Sequence, residues 1–184
     1  SGIMSSHEGK GLSTDQMKTM TTFQKAGWAD KGWVMNDHLD YPRLSWEDKG
    51  GEAIPPAIIP FAGSGTAESP YLISTAQEFA ELSWYTAVLN KRVQLKGNID
   101  LSDVALYPIG DLGRFCGVFD GNGYILCNGV ISQPDNNYVG LFNILESDGQ
   151  VRNLGVNNLT INGRYYVGGL VGLNSSGFIA SCYV

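Results

Sequence analysis

Three segments decide the fold: GYILCNGV at 123–130, GQVRNLGV at 149–156 and GFIASCYV at 177–184 match column by column at offsets of 26 and then 28 residues. Val151 and Ile179 share one apolar column, Val156 and Val184 share another, and each segment opens on glycine. Ile125 and Val130 of the first segment stand in the same two columns. Between these segments lies a second matched element, CGVF at 116–119, VGLF at 139–142 and VGGLV at 167–171. A period in the twenties, made of short β-branched runs punctuated by Gly, Asn and Asp, is too short for a propeller blade and lacks the helical half of a helical repeat. It fits one coil of a β-solenoid, in which each strand pairs with its equivalent one turn away and stacking supplies the core. The repeat core predicted in this way is Ile125, Val130, Leu141, Phe142, Val151, Val156, Leu170, Val171, Ile179 and Val184. Val151, Leu154 and Val156 break strict alternation, which places a corner near Asn153 or Ser181, residue types that satisfy backbone groups at a bend.

Composition agrees with a turn-rich β protein. Glycine occupies 24 of 184 positions without a G-X-Y period, which excludes collagen. Charged residues make up only 16% against a usual share of about 25%, and hydrophobic residues reach 43%, so disorder and a coiled coil are both excluded. The net charge of −6 argues against nucleic acid and anionic membrane surfaces as partners, because both need clustered Lys and Arg. No run of 18 apolar residues is present, and membrane insertion is not expected.

Two stretches carry helix signals. Thr75-Ala76-Gln77-Glu78 reads as a capping box with Thr75 as N-cap and Glu78 as its reciprocal partner, followed by Phe79, Leu82 and Val88; it predicts a helix over about 76–90 that covers the first coil. Ser13-Thr14-Asp15-Gln16 is a second capping box, leading into Met17, Met20 and Phe23 as a short amphipathic helix. Residues 48–57 combine charge, a Gly pair and a Pro pair, and 48–59 reads as a linker. The chain thus divides into 1–47, a linker at 48–59, and a solenoid at 60–184.

The motifs FAGSGTAESPYLISTAQEFAEL, LKGNIDLSD, GVFDGNGYIL, YVGLFNIL, GQVRNLGV and YVGGLVGLNSSGFIASCYV, in that order across 60–184, resemble the GLUG-repeat proteins. These are large secreted or surface-attached bacterial proteins, many adhesin-like, and the motif also occurs in some immunoglobulin-A-cleaving peptidases. The resemblance implies a mainly β fold: a right-handed parallel β-helix with an N-terminal capping helix and a small α/aromatic closing segment. The stretch at 11–47, with Trp28, Trp33, Tyr41-Pro42-Arg43-Leu44 and Trp46, resembles the segment that closes a GLUG array. Tail therefore precedes head, which implies a slice of a longer tandem array; Asn143 departs from the glycine common after the Gly-Leu-Phe.

Three carboxylates, Asp100, Asp103 and Asp120, with Asp111 nearby, are the only acidic concentration in the solenoid. Paired carboxylates or calcium serve β-helical polysaccharide hydrolases and lyases, and glycoside chemistry needs two carboxyl groups with one pKa raised. Aspartate beside a Gly- or Ser-rich turn equally serves local hydrogen bonding, and no EF-hand or RTX spacing is present, so no catalytic residue, metal or cofactor is expected. His7 and His38 stand apart in polar surroundings without HExxH spacing and carry no zinc assignment. Asn122, Asn128, Asn153 and Asn174 are expected in turns or stacked amide ladders. Cys116, Cys127 and Cys182 have no metal-ligand spacing and read as small buried hydrophobes. Met17, Phe23, Trp28, Trp33, Tyr41 and Trp46 are expected to pack as a closing core and to supply an interface that covers a neighbouring solenoid end.

The function these readings favour is a non-enzymatic structural or adhesive module of an extracellular or cell-surface protein, stacking on neighbouring repeats or on identical subunits head to tail. Surface glycans and host proteins are the partners the resemblance implies. A carbohydrate-active β-helix and an accessory region of a surface peptidase are the alternatives. The end at 182–184 reads as the continuation point of the beginning at 1–2, which predicts end-to-end association or a tandem origin.

Overall fold

The computed structural model describes residues 12–29, 31–47 and 51–184 and divides into two compact units, Ser1–Ile59 with Trp84–Ala87, and Pro60–Ser83 with Val88–Val184. The readings placed on His7 and on the 1–2 end lie outside the described residues, as do positions 48–50 of the linker.

In the first unit the Ser13 capping box is formed, with Ser13 Oγ accepting from Gln16 N–H and Gln16 Oε1 from Ser13 N–H. It opens not one helix but two, α1 (Thr14–Met17) and α2 (Met20–Lys25). Three short antiparallel strands follow, β1 (Trp33–Met35) between β2 (Arg43–Leu44) and β3 (Glu52–Ala53). Strand β3 corrects the linker reading: Glu52 and Ala53 pair with β1, and Ile54 is buried with Met20, Phe23 and Met35. The physical reason is that Ile54 supplies apolar area to a small core that the preceding charged and Gly-rich residues cannot supply.

The second unit is mainly β, and its parallel strands stack as a β-solenoid of about three turns. It opens with β4 (Tyr71–Ile73) and α3 (Ala76–Glu81). The helix expected to about 90 is α-helical only to Glu81 and goes on as two 3-10 turns, Leu82–Trp84 and Thr86–Val88. Its N-terminal box is present, Thr75 Oγ1 accepting from Glu78 N–H at 3.2 Å and Glu78 Oε2 from Thr75 N–H at 3.1 Å. Leu82, Ser83 and Val88 are buried there, so packing rather than the capping-box signal sets the path.

The strands that follow are β5 (Arg92–Leu95), β6 (Ile99–Asp100), β7 (Val118–Asp120), β8 (Ile125–Cys127), β9 (Val130–Val139), β10 (Phe142–Leu145), β11 (Gln150–Arg152), β12 (Gly155–Asn157), β13 (Thr160–Val167), β14 (Val171–Asn174) and β15 (Phe178–Ala180). They form four ladders: β4-β5-β7-β11-β15, β6-β8-β12, β9-β13 and β10-β14. Each ladder is parallel, which is what a winding coil produces; in β9-β13 the register shifts at a bulge between Gly163 and Tyr165.

The register corrects the repeat alignment. Val151 pairs with Ile179, as the two segments predict. On its other side Val151 pairs with Phe119, whereas Ile125, its equivalent by the segment alignment, pairs with Gly155 in a different ladder. The glycine column is accordingly Gly117, Gly149 and Gly177, and a Cβ at Gly117 would stand 2.2 Å from the carbonyl oxygen of Lys91. Likewise Phe119 is not the equivalent of Phe142; Phe142 stacks on Val171 and on Ile109. The cause is a corner of unequal length: the whole stretch 121–124 joins β7 to β8, but only 153–154 joins β11 to β12.

Phe119 from one ladder meets Phe142 from another across the interior at 5.3 Å, and Phe142 meets Phe115 at 5.1 Å. Phe79 of α3 packs edge-on against Phe119 at 6.1 Å. Leu141, Phe142, Val151, Val156 and Leu170 are buried as expected. The other core assignments need correction. Val130 is 56% exposed, because Ile131 takes the inward position of β9. Ile179 is 39% exposed, because β15 is the outermost strand of its sheet; Val184, past the end of β15, is 73% exposed, and Val171 and Ile125 are half-buried.

Candidate functional site

The corners of the coil carry its polar chemistry. Asp120 closes β7, and its carboxylate accepts from Asn122 N–H at 2.8 Å, Asn153 Nδ2 at 3.1 Å and Arg152 Nε at 2.9 Å. Arg152 sits directly above Asp120 in the ladder, so this ion pair ties one coil to the next. Burial pushes the Asp120 carboxyl up, but the Asn153 amide, the Asn122 N–H and the Arg152 guanidinium outweigh it and hold it below the usual carboxylate range. Asp100 closes β6 at another corner: it accepts from Ser102 N–H at 3.0 Å and from Asn128 Nδ2 at 3.0 Å, and Asn128 Oδ1 accepts from Asn158 Nδ2 at 2.8 Å. Its pKa is lowered first by the Ser102 N–H and then by the Ser102 and Asn128 side chains. A general acid needs the opposite shift.

Asp103 lies exposed in the turn after β6 and joins neither corner. The sequence therefore found the carboxylates, and the structure separates them into two inter-coil ladders. Among the described residues no three of His, Cys, Asp and Glu gather into a group that could hold a metal ion. The expected amide roles are seen: Asn122, Asn128 and Asn153 occupy left-handed backbone, and Asn174 bridges its own turn through Gly177 N–H at 2.7 Å. Asn153 and Ser181 share that conformation at equivalent corners. The three cysteines are half-buried free thiols; Cys127 and Cys182 point Sγ at the carbonyls of Ile99 and Val151.

In the first unit, Phe23, Trp28 and Trp33 form one aromatic run, with ring centroids 5.0 and 4.6 Å apart, and Met17 packs half-buried beside them. Tyr41 and Trp46 stay exposed, with Lys18 Nζ 5.5 Å from the Tyr41 ring. Phe23 is buried inside the unit, so of the six interface candidates Tyr41 and Trp46 are the exposed ones.

Sequence reading missed a third ladder. Tyr138 and Tyr166 lie opposite one another where β9 meets β13, both at positive φ (59° and 56°), with rings stacked at 4.9 Å and 16°. Beside them the Arg164 guanidinium lies 5.1 Å over the Tyr165 ring. The signal was a Tyr-Val-Gly that recurs at 138–140 and 166–168, masked by the stronger Gly-Leu-Phe pattern next to it.

No protein-family model matches the chain. Two large proteins resemble it. One, from Evansella cellulosilytica, is named as a Gly-rich membrane protein and is 36% identical over 121 residues, 61% of this chain. The other, named Halomucin, from Haloquadratum walsbyi, is 32% identical over 127 residues, again 61% of this chain. The chain spans only 14% and 1% of the length of these relatives. No solved structure gives a significant match. Among the described residues no helix is long and apolar enough to cross a membrane.

Proposed function

We propose that the chain is a non-enzymatic structural or adhesive solenoid module of a much larger extracellular or cell-surface protein, of the GLUG-repeat kind. One observation carries this reading: Asp120 and Asp100, which chemistry would have to use, are both engaged as acceptors that bind one coil to the next. A carboxylate held by a guanidinium and two N–H donors is stabilised in its charged form, poorly placed to give up or take a proton at neutral pH. The relatives' names and their great length agree with a repeated surface element. The mechanism is geometric, since stacked coils make a stiff element whose corners vary without loss of the core. Neighbouring solenoid repeats and identical subunits meeting head to tail are the proposed partners, with surface glycans and host proteins as targets of the adhesive face; nucleic acid and membrane insertion have no part in it, and no cofactor is needed.

Reducing-sugar and unsaturated-uronate assays over a polysaccharide panel test the non-enzymatic claim. The expected result is no turnover above buffer; turnover that disappears in Asp120→Asn sinks it.

A further inference from the structure

We propose that the outer face of β9 and β13, centred on Tyr165 and Tyr166, binds a neutral carbohydrate chain. This takes the adhesive part of the reading above, on which it rests, and gives it a site.

The backbone is the first observation. A bulky residue at positive φ is rare in proteins, and strained backbone gathers at functional sites. At the other left-handed positions of this unit the residue is Gly, Asn or Ser, all smaller than tyrosine, yet Tyr138 and Tyr166 fill this one in two successive coils. The rings are also pre-set. Tyr166 stacks on Tyr138, and Tyr138 stays half-buried rather than buried beneath it, so an inner rung of the ladder still reaches the surface. Tyr165 and Tyr166 are 57% and 61% exposed. A partner meeting rings already held in place loses little freedom in binding them.

Charge and polarity then select the ligand. Strands β9 and β13 together carry one carboxylate, Asp135, and one cation, Arg164, in a chain whose total is −6. Arg164 makes no ion pair with a carboxylate among the described residues, and its planar donors lie beside the Tyr165 ring. The rest of the outer polar set is amide and hydroxyl, including Ser132, Asn137 and Asn162. The face of a pyranose presents weakly positive C–H groups that suit the negative face of an aromatic ring, and its hydroxyls suit amide and guanidinium groups. A polyanion would meet Asp135 and an acidic molecule.

The test titrates the full chain with cellohexaose and chitohexaose as neutral probes and hexagalacturonate as the acidic one, following amide resonances by NMR. Saturable shifts at Asn137, Arg164, Tyr165 and Tyr166 with either neutral probe are expected, at a Kd below about 1 mM. Tyr165→Ala should weaken binding by about tenfold, whereas Tyr165→Phe, which keeps the ring, should stay within about threefold. Both variants should keep the wild-type unfolding midpoint; if Tyr165→Ala does not fold, Arg164→Gln replaces it, with weakening of at least about threefold expected. No shift with either neutral probe up to about 10 mM, tighter binding of hexagalacturonate, or binding unchanged in the variants overturns the site. Shifts of the same residues on raising protein concentration without sugar would assign the face to a second copy and overturn it as well. A failed titration in a chain that keeps its coil register removes this site and leaves the structural reading standing.

Discussion

Asp120, one of the carboxylate cluster weighed in sequence between glycoside chemistry and local hydrogen bonding, serves as a structural tie in three dimensions. Its carboxylate spans two coils through Arg152 and Asn153. Because its folded pKa is lowered, its contribution is present above the unfolded carboxylate range, near pH 4, and is lost as pH falls through the folded value. Asp120→Asn should therefore lower stability at pH 7 by about 1 kcal/mol, a charged hydrogen bond discounted for the part-exposed Arg152. The difference from wild type should close progressively below about pH 4, as measured by urea denaturation across pH; a gap that widens on acidification would contradict this account. Core residues make a second contrast. Leu170→Ala should cost about 2–5 kcal/mol as a large-to-small change in a packed interior, whereas Val130→Ala, outward on β9, should cost under about 1 kcal/mol. Equal shifts in the denaturation midpoints of the two variants would show that the inward assignment is wrong.

Among the elements, the helix start was legible because its signal is local: Thr75 and Glu78 satisfy each other's N–H within one turn. Thr75→Ala should cost about 1 kcal/mol and speed amide exchange in Ala76–Glu81 before any strand is affected; protection unchanged there would contradict the cap's role. Its end was not legible, since the 3-10 turns after Glu81 depend on packing that no short motif records. The same division holds for the strands. The offset between β11 and β15 was readable because both coils turn a tight corner, at Asn153 and Ser181. The preceding coil takes the longer path through 121–124, so Val151 pairs 32 residues back with Phe119 (151 − 119), whereas the segment alignment steps back only 26 and sets Ile125 there. The tyrosine ladder left only a short Tyr-Val-Gly echo in sequence, and tyrosine carries no left-handed preference to flag it.

On the scale of the whole molecule, the solenoid stands on parallel columns that run through successive coils, such as Val93-Phe119-Val151-Ile179 and Ile99-Leu126-Val156. Such a stack has no core within one coil, so neighbours supply the stability of each, and exposed edge groups of an outer strand are natural sites for further strands. The net charge of −6 works against indiscriminate association while leaving a register-matched partner free to dock. The corners, the inter-coil ties and the outer faces all depend on that stacking. The most direct test is a set of inter-strand nuclear Overhauser contacts on the full chain, labelled at the methyl and aromatic positions. Contacts of Val151 with both Phe119 and Ile179, together with Leu126 to Val156, are the predicted result; contacts of Val151 with Ile125 in place of Phe119, or antiparallel pairing of these strands, would contradict the stacked coil described here.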